Sequence, residues 1–104
     1  MTKSILIVSD QSEELSLLAN RLGTEHYDVS KASNGAEALD YVESKRFDLI
    51  CIDIQNTSPS SEEILASLKE ILTKRTRIIL KKDIAPGEKD INICVGIIKK
   101  ALIS

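Results

Sequence analysis

Two acidic residues follow two short apolar runs, and their positions point to one kind of chemistry. Asp53 ends the run Asp48–Asp53, and Asp10 comes two residues after the run Ile5–Val8. A buried strand has little reason to carry an acid except at its tip, where side chains meet solvent. In open parallel α/β sheets the functional site lies at that carboxyl edge. Two strands that bring two carboxylates to one edge therefore predict a site for a divalent cation, a phosphoryl group or both.

The elements that must position these acids alternate between strand and helix. Gly23 is predicted to end the first helix, Asn34-Gly35 is a turn signal before the second, and Ser60 or Ser61 is a candidate cap for the third. Strand-like runs lie at 5–8, 27–32, 47–52 and 77–80. Apolar residues recur at helical spacing in three stripes: Leu15, Leu18, Ala19, Leu22; Ala36, Leu39, Val42; and Ile64, Leu65, Leu68, Ile71, Leu72.

The last segment fits two interpretations. Ile91, Val95, Ile98 and Leu102 recur at helical spacing, whereas the run 93–98 is also β-branched enough to be a strand. A helix needs only one element type through Ile103, so we predict a C-terminal helix. The alternation of strands and helices then predicts an α/β fold, a parallel sheet covered by helices on both faces. We expect residues 1–104 to form a single domain.

Composition excludes several function classes. Aromatic residues make up 3% of the chain, which does not supply base-stacking platforms, and a net charge of −2 is no nucleic-acid footprint. No apolar run approaches the roughly 20 residues of a membrane span, and no stretch resembles a signal peptide. Cys51 and Cys94 lie among aliphatic residues, without the spacing of a metal site or a disulfide framework. We therefore expect a cytoplasmic protein that contacts neither nucleic acid nor membrane.

Three blocks of sequence resemble the response-regulator receiver domain (CheY-like). They are the segment 5–10 (ILIVSD), the segment 32–39 (ASNGAEAL) and the segment 47–53 (FDLICID). The resemblance covers roughly residues 3–80. The Asn34-Gly35 block is fairly specific when combined with a strand that ends in Asp53, although either alone is weak.

The resemblance implies a flavodoxin-like, doubly wound domain that accepts a phosphoryl group from a histidine kinase. Asp53 falls on the phospho-acceptor of the family, and Asp10 falls on the acid that ligates Mg²⁺ directly. The backbone carbonyl of Gln55 would be a further ligand, and Asp53 itself would also contact the metal. Ser9 stands where the family has a second acid, so it would hold Mg²⁺ only weakly, through a water. A weakened Mg²⁺ site is expected.

Further departures lie toward the C-terminal end. Where the resembled family has a switch Ser or Thr after the fourth strand, this chain has Lys82, or Lys81 if the strand is one residue shorter. Only about twenty residues follow, and they contain no Lys-Pro pair. We therefore expect a sheet of four strands, or five if the last segment contributes one, that lacks the usual α4–β5 unit. The exposed edge of the fourth strand would allow a homodimer.

Two function hypotheses remain. The first is a two-component receiver in which Asp53 is phosphorylated with the help of Asp10 and Mg²⁺. The second is a phosphorylation-independent pseudo-receiver, a protein–protein interaction module in which Lys82 is a permanent counter-ion for Asp10 and Asp53. An enzyme in the ordinary sense is not expected, because the sequence offers no Ser-His-Asp set, no Cys-His pair and no phosphate-cradling glycine loop.

Overall fold

The structure, a computed structural model, describes residues 2–72, 76–84 and 90–103. Strands and helices alternate along most of the chain, as the sequence predicts. The elements, in chain order, are β1 (Ser4–Ser9), α1 (Ser12–Thr24), β2 (Asp28–Ala32), α2 (Gly35–Ser44), β3 (Leu49–Asp53), α3 (Ser61–Ile71), β4 (Arg77–Leu80), the four-residue turn α4 (Lys81–Ile84) and α5 (Ile91–Ile103).

The four strands form one parallel sheet in the order β2-β1-β3-β4. The two central strands, β1 and β3, are buried along almost their whole length, which is why they read as continuous apolar runs. In their register Ser9 lies opposite Asp53. The two acid-bearing strand ends are therefore neighbours at the carboxyl edge.

Each face of the sheet carries its own apolar core. On one face, α1 and α5 cover Ile5, Ile7, Leu49 and Cys51. On the other face, α2 and α3 cover alternate residues of the same strands, namely Leu6, Val8, Ile50 and Ile52. This two-sided packing confirms the predicted doubly wound, flavodoxin-like architecture.

The C-terminal segment is a helix, not a strand. Cys94, Val95 and Ile98 of α5 are buried against the α1 face of the sheet. Within the described residues the sheet has four strands, and between β4 and α5 these residues contain only the turn α4. We also predict from Pro86 and Gly87 a loop between β4 and the last helix, and this segment lies outside the described residues. Strand β4 pairs with β3 on one side, and none of the described strands pairs with its other side.

The end of α1 corrects one prediction. Gly23 lies inside the helix, which continues to Thr24. The residue with the left-handed backbone is His26, at φ 69°. There the chain turns back toward the sheet, and the N–H of Tyr27 donates to the carbonyl of Leu22. The position of the left-handed residue is thus determined by where β2 must begin, and not by where the chain has a glycine.

Capping and close packing fix the loop that follows β3. Ser60 caps α3, with its side chain accepting from the N–H of Glu63 while the Glu63 carboxylate accepts from the N–H of Ser60. The buried hydroxyl of Ser61 both accepts from the N–H of Ile54 and donates to its carbonyl. These bonds tie the start of α3 to the end of β3.

Gly35 opens α2 at a point of close approach. A Cβ at this position would lie 2.8 Å from Cγ of Pro59 and 3.0 Å from Cγ1 of Ile64. Its neighbour Asn34 caps α2 by accepting from the N–H of Glu37. The Asn34-Gly35 pair therefore starts the helix and lets the β3–α3 loop pack against it.

Candidate functional site at the carboxyl edge of the sheet

Asp10 holds the loop between β3 and α3. Its carboxylate accepts from the backbone N–H of Asn56 at 2.6 Å, of Thr57 at 2.8 Å and of Gln55 at 3.0 Å. The Thr57 hydroxyl and the Gln11 amide add two more donors, at 3.2 Å each. Three successive N–H groups aimed at one point form a concave anion site, and here the anion is a side chain of the same chain.

These donors decide the charge of Asp10. Removal from water opposes ionisation, yet the N–H groups of Asn56 and Gln55, the amide of Gln11 and the N–H of Thr57 outweigh it. Together they hold the pKa of Asp10 well below its usual range. The loop's donors therefore favour the ionised form of Asp10, and this form in turn holds the loop most strongly.

Asp53 lies deeper in the site. Its side chain is 16% exposed, and Oδ2 is 3.7 Å from the ammonium Nζ of Lys81. Its other oxygen, Oδ1, accepts from the side-chain amide of Gln55 at 3.3 Å. The carboxylate is thus partly shielded from water and faces one cation.

Lys81 is shared between two acids. Its Nζ lies 3.7 Å from Asp53 and 3.6 Å from Oε2 of Glu14, in the first turn of α1. The Lys81 side chain is only 15% exposed, whereas that of Glu14 is 38% exposed. The ammonium therefore bridges the carboxyl end of β3 and the start of α1.

The structure places the lysine of the site one position before Lys82. Because β4 ends at Leu80, Lys81 is the first residue beyond the strand and turns toward Asp53. Lys82 instead forms an ion pair with Glu62 on α3, where both side chains are more than half exposed. The prediction that Lys82 is the counter-ion of Asp10 and Asp53 is wrong, and the alternative at Lys81 is the one that meets Asp53.

A small cavity lies beneath this ion pair, between the sheet, α1 and α5. Its volume is about 20 Å³, enough for roughly one water molecule. Asp53, Lys81 and Glu14 line its polar side. Ser9 and a set of apolar and thiol residues complete its lining, the latter being Ile7, Leu15, Leu18, Cys51, Ile91 and Cys94.

The thiol of Cys51, two residues before Asp53 on β3, is held in its protonated form. Burial, with a smaller contribution from the negative charge of Asp53, raises the pKa of Cys51 to about 12. The thiolate is the reactive form of cysteine, so Cys51 stays protonated and inert at neutral pH. Cys51 and Cys94 are both buried and form no disulfide, as the sequence predicts.

Oxygen ligands suitable for Mg²⁺ are present, but these oxygens already accept hydrogen bonds or face an ammonium group. Carboxylate and carbonyl oxygens are the ligands that Mg²⁺ prefers, and Asp10 and Asp53 supply them on adjacent strands. As arranged, however, Oδ2 of Asp10 accepts from four donors, and Oδ2 of Asp53 faces an ammonium. The described residues contain no group of three or more acidic, His or Cys side chains that could hold a metal ion. The donor set fits Mg²⁺ by chemistry, at the expense of the hydrogen bonds of Asp10.

The remaining predicted site residues lie at the same edge. Ser9 is buried, and its hydroxyl accepts from the N–H of Gln11, so it braces the turn after β1. Gln55 is exposed and contacts both acids, through its N–H to Asp10 and its side chain to Asp53. Sequence reasoning thus found the acids and Gln55 but not the role of Glu14. The signal for Glu14 was its position four residues before the buried Leu18, which puts Glu14 beside the core-facing side of α1.

The fold and the site together define a class of protein: a flavodoxin-like domain with an acidic pair at the carboxyl edge of its sheet. Residues 5–83 match the response regulator receiver domain family. Sporulation initiation phosphotransferase F of Bacillus subtilis (strain 168) is 36% identical over 90 residues, which cover 86% of this chain and 70% of that protein.

Solved structures agree with this match. The response regulator TrrA from Thermotoga maritima, solved in complex with Mg²⁺–BeF, is 34% identical with a TM-score of 0.69, over 76% of this chain and 68% of that chain. A complex of the histidine kinase ThkA with TrrA also matches, at 26% identity and a TM-score of 0.76, over 99% of this chain and 100% of that one. The chain belongs to the response regulator receiver domain family. No helix in the described ranges is long and apolar enough to cross a membrane.

Proposed function

We propose that the domain receives a phosphoryl group on Asp53 from a histidine kinase. The observation that carries this proposal is the position of Asp53 at the carboxyl end of β3, partly shielded from water, 3.7 Å from the Lys81 ammonium and beside the strand that brings Asp10. The relatives support the donor class, since TrrA was solved together with the histidine kinase ThkA.

In the proposed reaction a carboxylate oxygen of Asp53 attacks the phosphorus of a phosphohistidine. The new O–P bond gives an acyl phosphate, and the N–P bond breaks with its electron pair remaining on the imidazole nitrogen, which then takes a proton. Negative charge on the phosphoryl oxygens must be countered during transfer. Within the described residues, the ammonium of Lys81 is the cation that forms an ion pair with Asp53.

Mg²⁺ would be held by Asp10, Asp53 and the backbone carbonyl of Gln55, with Ser9 contributing through a water. When bound, the ion would supply further positive charge for the phosphoryl oxygens. Asp10 would have to give up N–H donors of the loop to bind it. We therefore propose a weak Mg²⁺ site.

Phosphoryl incorporation tests this function. The protein is incubated with Mg²⁺ and acetyl phosphate, a small acyl-phosphate donor, and its intact mass is followed over time. One phosphoryl group is expected on wild type and on Asp40→Asn, which changes an exposed acid on α2. None is expected on Asp53→Asn. Equal incorporation in Asp53→Asn and wild type would contradict the assignment.

A second candidate function rests on the ion pairs of the site. Because Asp10 is hydrogen-bonded by the loop and Asp53 lies beside the Lys81 ammonium, both carboxylates have protein partners without metal or phosphate. A pseudo-receiver that binds a partner without phosphorylation would keep this arrangement permanently. Absence of incorporation from acetyl phosphate and from phosphoramidate, at saturating Mg²⁺, would favour this second function.

The side of β4 that pairs with no described strand supports one further proposal about partners. Unpaired backbone groups on an edge strand are a template for another strand. We propose that two copies of the chain pair through Arg77–Leu80. Sedimentation equilibrium tests this: a concentration-dependent dimer is expected, and a monomer throughout the micromolar range would contradict it.

A further inference from the structure

The cation of this site has two acidic partners at nearly equal distances, and they belong to different elements. Nζ of Lys81 is 3.6 Å from Glu14 on α1 and 3.7 Å from Asp53 on β3. Neither distance is that of a close ion-pair hydrogen bond, which spans about 2.7–2.9 Å. The ammonium therefore sits between two competing carboxylates and is committed to neither.

A phosphoryl group on Asp53 would change that balance. The carboxylate carries one negative charge, whereas a phosphoryl group carries close to two and offers three strong acceptor oxygens. Glu14 keeps its single charge and is more exposed to water, with 38% of its side chain accessible against 16% for Asp53. The cation is thus drawn toward the more negative and less solvated partner.

The surroundings leave room for this movement. The cavity of about 20 Å³ is lined by all three charged side chains, so the ammonium has adjoining space. Lys81 is also the first residue of a four-residue turn, and its stem is not fixed inside a long helix.

We propose that Lys81 is an exchange cation: it is shared by Glu14 and Asp53 at rest, and it leaves Glu14 for the phosphoryl oxygens once Asp53 is modified. Loss of its cation frees the Glu14 carboxylate. Glu14 lies in the first turn of α1, and it lines the same cavity as Ile91, the first residue of α5. Phosphorylation is thereby signalled to the adjoining ends of α1 and α5.

This inference rests on the proposed acceptor role of Asp53, so the test separates the two. Amide and carboxyl NMR spectra are recorded with Mg²⁺ and with increasing beryllofluoride, a phosphoryl mimic. In wild type, shifts are expected at Asp53, Lys81 and the first turn of α1, with the side-chain carboxyl carbon of Glu14 moving toward the value of an unpaired glutamate. In Glu14→Gln, shifts at Asp53 are expected to remain while those in α1 disappear.

Two matched controls isolate the exchange. Glu13→Gln removes the neighbouring exposed first-turn acid and is expected to respond as wild type. Lys82→Gln removes the lysine that pairs with Glu62, and it is likewise expected to show the same shifts as wild type. Glu14→Gln is expected to bind beryllofluoride about twofold to fivefold more tightly, because a competing half-exposed ion pair is gone. Lys81→Gln is expected to bind about tenfold more weakly or worse.

The outcomes are distinct. If Glu14→Gln retains the α1 shifts and the affinity of wild type, the exchange is overturned while Asp53 stands as the acceptor. If neither Asp53 nor α1 responds in wild type at millimolar beryllofluoride, both the exchange and the acceptor role are overturned.

Discussion

Replacing Asp10 should destabilise the domain, because the loop between β3 and α3 would lose the hydrogen bonds that hold it. The carboxylate accepts from three successive backbone N–H groups at 2.6 to 3.0 Å. In Asp10→Ala these donors must turn to water. In Asp10→Asn one oxygen remains as an acceptor, but the amide NH₂ must face a backbone N–H, and the charge is lost.

The magnitude follows from the kind of bond. Hydrogen bonds to a charged group contribute about 1.5–3 kcal/mol when buried. Here the loop residues that donate them are exposed, so water recovers part of the loss. We expect the free energy of unfolding to fall by about 2 kcal/mol in Asp10→Ala and by about 1 kcal/mol in Asp10→Asn, at pH 7.

The effect should depend on pH with a defined sign. The pKa of Asp10 is lower in the folded protein than its ordinary value of 3.8, so the unfolded chain binds a proton more readily. The stability from Asp10 is therefore complete well above that value and declines as the pH falls below it. The difference between wild type and Asp10→Ala should shrink between about pH 5 and pH 3.

Urea unfolding followed by circular dichroism, at several pH values, measures these quantities. Asp40→Ala is the matched control, because Asp40 is an exposed acid on α2. If Asp10→Ala and Asp40→Ala match within about 0.5 kcal/mol at pH 7, the Asp10 hydrogen bonds gain nothing over water and the reasoning fails.

Substitutions at Gly35, His26 and Ser60 test how the elements around the site are held, each by the same unfolding assay, with Gly23→Ala as a control. Gly35→Ala should cost about 1–3 kcal/mol, because its Cβ would lie 2.8 Å from Pro59, whereas Gly23→Ala, with open space around it, should not destabilise. His26→Gly should stabilise by about 0.5–1 kcal/mol and His26→Val should destabilise, since φ is 69° there; the opposite order would contradict the left-handed backbone. Ser60→Ala should cost about 1 kcal/mol through loss of the α3 cap, and an unchanged midpoint would argue against the capping box.

The sequence was sufficient wherever local pattern and topology agree. Continuous apolar runs identified both central strands, and the rule that parallel strands carry their sites at the carboxyl edge brought Asp10 and Asp53 together. The run Arg77–Leu80 gave β4 with its observed bounds. These predictions succeed because a strand buried on both faces is a short, unbroken apolar run, and its length separates it from a buried helix.

The sequence was insufficient where the partner of a side chain depends on packing between elements that are distant in the chain. Whether Lys81 or Lys82 faces Asp53 depends on the residue at which β4 ends, and a shift of one residue reverses the side of the strand. The role of Glu14 depends on α1, the turn α4 and α5 meeting around one cavity. The hydrogen bonding of Asp10 depends on the backbone course of a loop whose donor Gln55 lies 45 residues later in the chain.

The end of α1 shows the same limit on a smaller scale. Gly23 is the residue whose type suggests a helix end, yet His26 takes the left-handed conformation. The register of β2 against β1, in which Asp28 lies opposite Ser4, fixes where the chain must turn. Tertiary position thus overrides the local preference of glycine.

The most direct test of the account locates the phosphoryl group itself. Protein treated with acetyl phosphate and Mg²⁺ is reduced with borohydride, which converts an aspartyl phosphate to homoserine, and peptide mass mapping identifies the modified position. The account predicts homoserine at position 53 and at no other acid. Homoserine at position 10 or 48, or none at any position under conditions that modify a known receiver, would contradict the assignment of Asp53 as the phospho-acceptor.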